Sequence, residues 1–230
     1  MNVERGTLNA DDRWRSDEHA REWLAKHGGP EADGSEQFHL IARLLPHPTE
    51  SALRVADVGA GHGTLTAVIL DTFPNAQATC LDINPTMIAA GQERLARFAG
   101  RFRYVQSDLT EPGWPAEASG PFDAVVSSRA IHHLMDARKR ELFGEILARL
   151  RSGGWLLNFD YVRAPSDALR EIYIRVQEPA SGSPADHHQG DHSHTSPLLG
   201  QLQMLESIGF VDVDCFWKQF GSAIFGGRKP

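Results

Sequence analysis

The sequence predicts an α/β fold, a single doubly wound and mostly parallel β-sheet with helices on both faces. From residue 53 to residue 160, short apolar segments alternate with helical segments of about 10–15 residues, which is typical of repeated βαβ units. The segments 122–127 and 155–159 are nearly unbroken apolar runs, as expected for central parallel strands that are buried on both faces. A chain of 230 residues, 41% of them hydrophobic, can form one sizeable core.

The first 50 residues are predicted to form a polar helical cap. One helix is expected from Asp11-Asp12 to about Lys26, where Gly28 and its neighbours end it. A second helix is expected from Ser35 to Leu45, because apolar residues recur there at helical spacing. Residues 51–230 would then form the core domain.

The core segments follow in a regular order. The predicted strands are 53–58, 76–81, 102–106, 122–127 and 155–159, and the helices between them are 64–73, 85–99 and 136–150. A helix over 165–178, a polar loop over 180–195 and a helix over 197–208 come next. The last two strands, 210–217 and 220–225, are separated by too few residues for a crossover, so they are expected to pair antiparallel.

A glycine-rich turn follows the first strand. Gly59, Gly61 and Gly63 alternate with other residues just before a helix, where glycine permits positive φ and lets a ligand approach the backbone. The third glycine of a dinucleotide-binding fingerprint would fall on Thr64, so that fingerprint is not matched. Asp57 lies two residues before the first glycine. An acid here favours a nucleoside with a cationic amino-acid tail over a pyrophosphate.

Polar side chains also end the next three strands. Asp82 ends the second strand and Asp108 the third, whereas Ser127 and Arg129 end the fourth. Ligands of open α/β sheets bind outside the carboxyl ends of the strands. A carboxylate at Asp82 can accept from both hydroxyls of a ribose, and one at Asp108 from an adenine amino group. Apolar surface for the base would come from Ile83, Met87 and Leu109.

This arrangement resembles the class I S-adenosylmethionine-dependent methyltransferases, and the resemblance covers residues 53–160. It implies a Rossmann-like seven-stranded sheet of order 3-2-1-4-5-7-6 with an antiparallel last strand. It also implies S-adenosyl-L-methionine as cofactor and S-adenosyl-L-homocysteine as product. The resemblance assigns Asp82 to the ribose, Asp108 to the adenine, and the methionine part to Asp57, Gly59, Ala60 and Gly61.

The acceptor is expected above the ends of the fourth and fifth strands. His132 and His133 follow the fourth strand, and Asp160 and Tyr161 end the fifth. Imidazole is a suitable general base at neutral pH, but the histidine pair also fits a packing role beside the methionine part. Tyr161 can bond an acceptor hydroxyl or be a half-buried core residue. Trp14 can cover the site or attach the cap to the sheet.

The segment 185–195 contains four histidines and two aspartates. It fits a polar lid, a lid whose His188, His192 or His194 contacts the acceptor, or a divalent metal site formed by His187 and these three. The histidines lack an i, i+4 helical pair and an accompanying cysteine pair, so the metal signal is weak. His194 is the favoured acceptor-side residue because it lies just before the helix that starts at Pro197.

Composition limits the possible partners. A formal net charge of −7 and a pI near 5.9 argue against nucleic acid, and no apolar run approaches the length of a membrane span. Cys80 and Cys215 lie in apolar segments, as expected for free thiols in a reducing compartment. We therefore expect a soluble cytoplasmic protein, a monomer or homodimer, that acts on a small-molecule acceptor.

Three alternatives remain at this point. The enzyme can use a sulfonium donor that carries an extra carboxyl group, contacted by Arg129 or Arg163. It can use a metal held by the late histidines. The domain can also bind the cofactor without catalysis, although the presence of Gly59, Gly61, Asp82 and Asp108 argues against that reading.

Overall fold

The computed structural model describes residues 13–29, 36–177 and 194–230. The strands in these ranges are β1 (Arg54–Val58), β2 (Gln77–Asp82), β3 (Phe102–Gln106), β4 (Phe122–Ser128), β5 (Leu150–Tyr161), β6 (Val211–Gln219) and β7 (Ser222–Arg228). The helices are α1 (Asp17–His27), α2 (Glu36–Leu44), α3 (Thr64–Thr72), α4 (Pro85–Arg94), α5 (Asp136–Arg149), α6 (Asp167–Gln177) and α7 (Leu198–Ile208).

The strands form one seven-stranded sheet of order β3-β2-β1-β4-β5-β7-β6, which confirms the predicted order. β1 to β5 are parallel, and β7 pairs antiparallel with both β5 and β6. The register aligns Val58 of β1 with Leu81 and Ser127. The ends of these strands therefore meet at one edge of the sheet, which we call the carboxyl edge.

Helices cover both faces of the sheet. On one face, α2 and α3 contribute buried side chains such as Ile41 and Ile69 to a core shared with β1 and β2. On the other face, α5 and α7 contribute Phe143, Ile146 and Leu205. Both cores are apolar and fully buried, so the central strands are held rigidly and their ends have fixed positions.

The cap helix α1 starts later than expected. Its N-cap is Ser16, whose Oγ accepts from the N–H of His19 at 3.4 Å. The predicted caps Asp11 and Asp12 lie outside the described residues. α1 therefore begins after a serine that the sequence pattern does not indicate, although serine is among the preferred N-cap residues.

The start of β5 also differs from the expectation. Strand pairing begins at Leu150, directly after α5, and includes Gly153 and Gly154, which lie before the predicted strand 155–159. The reason is the chain end: Gly153 N–H bonds the Lys229 carbonyl, and Lys229 N–H bonds the Gly154 carbonyl, each at 2.9 Å. These glycines thus extend the sheet toward the last strand.

No helix in the described ranges is long and apolar enough to span a bilayer. The two cysteines are free thiols, with Cys80 buried and Cys215 half-buried. Of the polar loop predicted over 180–195, residues 180–193 fall outside the described ranges, as do the first twelve residues of the chain.

Candidate active site

In the glycine-rich turn after β1, the main chain borders open space at one of the three glycines. All three glycines have positive φ, from +52° to +80°. A Cβ on Gly59 would lie 2.2 Å from the Cβ of Ala130, and one on Gly63 would lie 2.8 Å from Tyr104 Oη. A Cβ on Gly61 would meet nothing within 4 Å. Packing therefore explains Gly59 and Gly63, whereas Gly61 borders open space where a ligand can contact the main chain.

Asp82 connects this turn to the end of β2. Its Oδ2 accepts from Gly61 N–H at 2.7 Å, and its Oδ1 accepts from Asn84 N–H at 2.9 Å. Burial raises the pKa of Asp82, and the backbone bonds oppose that shift. A carboxylate has about four acceptor positions, and the backbone N–H groups of Gly61, Ile83 and Asn84 occupy three of them, so one remains for a ligand. The geometry is compatible with the ribose role that the resemblance implies.

Asp57 lies beneath the turn rather than at its surface. It is 1% exposed, and its Oδ2 accepts from Thr66 Oγ1 at 2.6 Å. Burial raises its pKa to about 7, opposed by the Thr66 bond and reinforced by the charge of Asp82. The carboxyl group is thus close to half ionised at neutral pH, directly below the glycine turn.

Asp108, at the end of β3, is tied to the N-terminal segment. Its Oδ1 accepts from the N–H and the Oγ1 of Thr110 at 2.9 and 2.8 Å, and its carboxylate pairs with Arg15. The neighbouring Leu109 side chain would lie 3.7 Å from a Cβ on Gly59. The predicted adenine-side residues are therefore adjacent to the glycine turn, and Arg15 shares the Asp108 carboxylate.

Ser127 and Arg129 sit at the end of β4. Ser127 is fully buried, and its Oγ donates to the Val58 carbonyl at 2.7 Å. Arg129 has a φ of +54°, and its guanidinium carbon lies 5.1 Å from the ring centre of Phe159 and 6.0 Å from that of Tyr161. The guanidinium of Arg129 therefore lies over the faces of two aromatic rings at the end of β5, a placement typical of cation–π contact.

Asn84 is a site residue that sequence reasoning missed. It is fully buried, and its Oδ1 caps α4 by accepting from the N–H groups of Thr86 and Met87 at 2.8 and 3.1 Å. Its Nδ2 donates to the carbonyls of Trp14 and Ser16 at 2.9 and 3.3 Å. The Asn-Pro dipeptide signals the cap. No local pattern signals the contact with a segment about 70 residues earlier.

The two predicted apolar residues beside it have different settings. Met87 is 2% exposed inside the first turn of α4. Ile83 is half-buried, and its carbonyl accepts from Gln106 Nε2 at 3.0 Å. Of the two, Ile83 keeps more accessible apolar surface beside Asp82.

Residues 14–16, here called the strap, cross the carboxyl edge. The Nε1–H of Trp14 donates to His133 Nε2 at 2.9 Å, and its carbonyl accepts from Asn84. Arg15 reaches Asp108. The strap thereby contacts residues that follow β2, β3 and β4. We call the open space beside Gly61, at the same edge of the sheet, the crevice.

His132 and Asp160 form a buried pair. His132 Nδ1 and Asp160 Oδ1 are 2.6 Å apart, and the His132 and Tyr161 N–H groups donate to the same carboxylate at 2.9 Å each. Burial raises the pKa of Asp160, but the charge of His132 and these hydrogen bonds outweigh it and keep that pKa below its usual value. The ionised carboxylate holds the imidazole as its Nδ1–H tautomer, which leaves Nε2 as the basic nitrogen.

The neighbouring rings complete this part of the site. His133 stacks on His132 with ring centres 3.9 Å apart, and the Tyr161 ring meets His132 edge-on at 5.0 Å. Burial raises the pKa of the Tyr161 hydroxyl, which the Arg129 charge opposes. Tyr161 is therefore a neutral donor at physiological pH.

A buried lysine of α5 holds the segment that precedes α7, and we call this group of hydrogen bonds the clamp. Lys139 is fully buried, and its Nζ donates to the His194 carbonyl, to Ser196 Oγ at 3.0 Å and to Asp136 Oδ1 at 3.3 Å. Burial lowers the pKa of Lys139, opposed by the charges of Asp136 and Asp160. This clamp fixes the main chain at His194, while the role of the His194 side chain stays a prediction.

The other late histidines, His187, His188 and His192, lie outside the described residues. Within the described ranges, no three histidine, cysteine or acidic side chains converge as a metal site would require. Arg163 is exposed, and its N–H donates to the Ser196 carbonyl at 3.1 Å.

His62 is a second residue that the sequence did not reveal. It is 7% exposed, contacts Thr64 Oγ1 through Nε2 at 3.0 Å, and meets the Trp23 ring at 5.2 Å. Burial, and then the Arg94 charge, lower its pKa to about 4. The imidazole is therefore uncharged at neutral pH and forms a wall between the glycine turn and α1.

Comparison with known proteins gives this geometry a context. Residues 55–154 match a family model described as a methyltransferase domain. The chain is 29% identical over 143 residues to trans-aconitate 2-methyltransferase of Escherichia coli, an alignment that covers 62% of this chain and 50% of that protein. It thus spans about half the length of this relative.

Solved structures share the fold at lower identity. An O-methyltransferase family protein from Burkholderia thailandensis superposes with a TM-score of 0.70 and 18% identity, covering 96% of this chain and 63% of that one. Phosphoethanolamine N-methyltransferase 2 from Haemonchus contortus, solved with S-adenosyl-L-methionine, gives a TM-score of 0.64 and 20% identity, covering 93% and 47%.

Proposed function

We propose that this chain, whose residues 55–154 match a methyltransferase domain, is a class I S-adenosylmethionine-dependent methyltransferase that methylates an oxygen atom of a small-molecule acceptor. The observation that carries the proposal is the buried His132–Asp160 pair, with its 2.6 Å contact, next to the family's cofactor crevice. A hydroxyl acceptor must lose a proton during transfer, and an imidazole oriented by a carboxylate is suited to take it.

The residues of the carboxyl edge fit the cofactor. Gly61 borders open space, Asp82 accepts from its N–H, and Asp57 and Asp108 lie near the ends of the neighbouring strands β1 and β3. A cationic ligand stabilises the ionised form of buried carboxyl groups such as Asp57 and Asp82. We assign the ribose to Asp82, the adenine side to Asp108 and Leu109, and the methionine part to the turn over Asp57. When bound, S-adenosyl-L-methionine supplies an electrophilic methyl group on a sulfonium.

The chain's own residues would then orient the acceptor and exclude water. Tyr161 can donate its hydroxyl proton to an acceptor oxygen, and His132 Nε2 can receive the acceptor proton. The strap shields the crevice, because Trp14 bonds both His133 and Asn84. Since the leaving group is a neutral thioether that needs no acid assistance, alignment and proton removal account for the catalysis that the protein must supply.

Two further facts support a small acceptor. The net charge is −7, which disfavours a nucleic acid that must be bound through its phosphates. The relative named above acts on trans-aconitate, a small molecule, and a solved neighbour is an O-methyltransferase family protein. A second candidate, metal-assisted transfer, has no supporting cluster in the described residues.

The test is a screen with methyl-labelled S-adenosyl-L-methionine. The purified protein is incubated with separate metabolite, protein and RNA fractions, with and without a chelator. The proposal expects label in a metabolite as a methyl ether or ester, unaffected by chelation. Label only in protein or RNA, or a product that carries more mass than one methyl group, would contradict it. S-adenosyl-L-homocysteine binding without any transfer would favour a non-catalytic module.

A further inference from the structure

A second cavity lies at the opposite edge of the sheet, where the parallel strands begin. It has a volume of about 160 Å³, and its lining includes Arg54, Arg101, Arg103 and Thr79. Strands of five or six residues separate it from the carboxyl edge, a distance of roughly 17 Å at about 3.3 Å per residue. It is therefore distinct from the proposed cofactor crevice.

The strand register brings the arginines together. Arg54 of β1 aligns with Gln77 of β2, and Thr79 of β2 aligns with Arg103 of β3. Gln77 and Thr79 are two residues apart and so point to the same face. Because residues aligned in parallel strands share a face, Arg54 and Arg103 project from one side of the sheet. Their strands are about 10 Å apart, which long side chains readily bridge.

The charges of these arginines are not neutralised within the described part of the chain. Arg101 Nη1 donates to the carbonyls of Leu70, Phe73 and Pro74. Arg103 donates to Thr79 Oγ1 at 3.2 Å and to the Glu117 carbonyl. The Arg54 guanidinium lies 5.7 Å from the Phe122 ring centre.

In contrast, other arginines at this edge have carboxylate partners. Arg97 pairs with Asp71, and Arg151 pairs with Asp123 at 2.6 Å. Asp123 is the carboxylate nearest in sequence to the cavity, and its other oxygen accepts from the Arg54 main-chain N–H at 2.7 Å. It therefore already has two donors. Three guanidinium groups without a carboxylate in one concave site repel one another, and a bound anion would remove that repulsion.

From this cavity and its unneutralised arginines, we infer a second binding site, for a compact oxyanion such as a phosphate or carboxylate group. Guanidinium groups bind such groups through forked hydrogen bonds. Drug-sized ligands occupy pockets of about 300–1,000 Å³, so a volume of about 160 Å³ suits the anionic group itself better than a whole nucleotide. The inference does not depend on the methyltransferase reaction.

The test is a titration of the full chain with inorganic phosphate against chloride at constant ionic strength, followed by thermal unfolding and calorimetry. Phosphate is expected to raise Tm in a saturable way. Arg54→Gln and Arg103→Gln should each weaken phosphate binding by at least about tenfold. Arg97→Gln is the matched control because its guanidinium already has a carboxylate partner. This variant should bind phosphate like the wild type.

Parallel titrations with glycerol 3-phosphate and acetate distinguish a phosphomonoester or a carboxylate from free phosphate. Saturable binding of any one of these three anions that is weakened in Arg54→Gln and Arg103→Gln supports the site. Equal responses to chloride and to all three anions would overturn the inference. So would equal loss in Arg97→Gln, which would indicate general charge attraction. S-adenosyl-L-homocysteine binding, measured on each variant, reports folding and tests the proposed function separately.

Discussion

At the scale of single residues, burial controls the protonation of Asp57. Its pKa is raised from 3.8 to about 7, so between these values the folded chain binds a proton that the unfolded chain has released. The contribution of Asp57 to the free energy of unfolding therefore falls as pH rises from about 4 to about 7, by a few kcal/mol at most, and levels off above.

Asp57→Asn should remove this dependence, because the amide keeps the acceptor for Thr66 but does not titrate. Urea unfolding of both proteins at pH 5 and pH 8 measures it. We expect wild type to lose stability relative to the variant between these two values. Parallel pH profiles would show that Asp57 is ionised throughout.

Asp160→Asn tests the proposed base. The amide occupies the same volume but cannot stabilise a protonated His132, so methyl transfer to the acceptor found in the screen should fall by about 10²–10⁴-fold. Calorimetry should show S-adenosyl-L-homocysteine affinity within about twofold of wild type. A normal rate would leave the His132–Asp160 pair with a packing role only.

Single residues also mark how far sequence reasoning reaches. The sequence pattern indicates His132, His133 and Asp160, because they lie at or just after strand ends, and the structure places them in contact. The same pattern does not indicate Asn84, His62 or Lys139. Their roles depend on partners about 40 to 70 residues away that only the folded chain brings close, so no local spacing identifies them.

At the scale of elements, the strap joins the cap to the crevice. Trp14→Phe keeps the ring but removes the indole N–H that bonds His133. Loss of one part-buried hydrogen bond should weaken S-adenosyl-L-homocysteine binding by about 2–10-fold, with the change mainly in the dissociation rate. Stopped-flow or surface-based kinetics can measure it.

Trp114→Phe is the matched control, because the Trp114 Nε1–H is buried without a hydrogen-bond partner in the described part of the chain. It should leave both rates unchanged. If Trp14→Phe and Trp114→Phe behave alike, the strap does not retain the ligand.

Elements were more predictable than their ends. Alternating apolar and helical segments indicate β1, β2, β4 and β5, since burial on both faces leaves a clear pattern, whereas the edge strand β3 is only partly buried. The early start of β5 was missed, because it depends on pairing of Gly153 and Gly154 with Lys229 at the chain end. The strand order itself came from the family resemblance rather than from periodicity.

At the scale of the whole molecule, charge is distributed unevenly. Composition gives only a net charge of −7, yet carboxylates gather at the carboxyl edge and unneutralised arginines at the other edge. Arg54 and Arg103 are 49 positions apart in the chain, so no run of basic residues in the sequence indicates their cavity. The parallel register of the strands places the carboxylates at one edge of the sheet and these arginines at the other.

The central claim is that the strand ends of the carboxyl edge bind the cofactor. The most direct test is calorimetric titration of S-adenosyl-L-homocysteine into wild type, Asp82→Ala and Asp71→Asn. Asp71 is a half-exposed carboxylate on α3 that pairs with Arg97, away from the crevice. We predict one site in wild type, affinity weaker by about 1–3 kcal/mol in Asp82→Ala, and no change in Asp71→Asn. No binding to wild type, or equal affinities in all three proteins, would contradict the account.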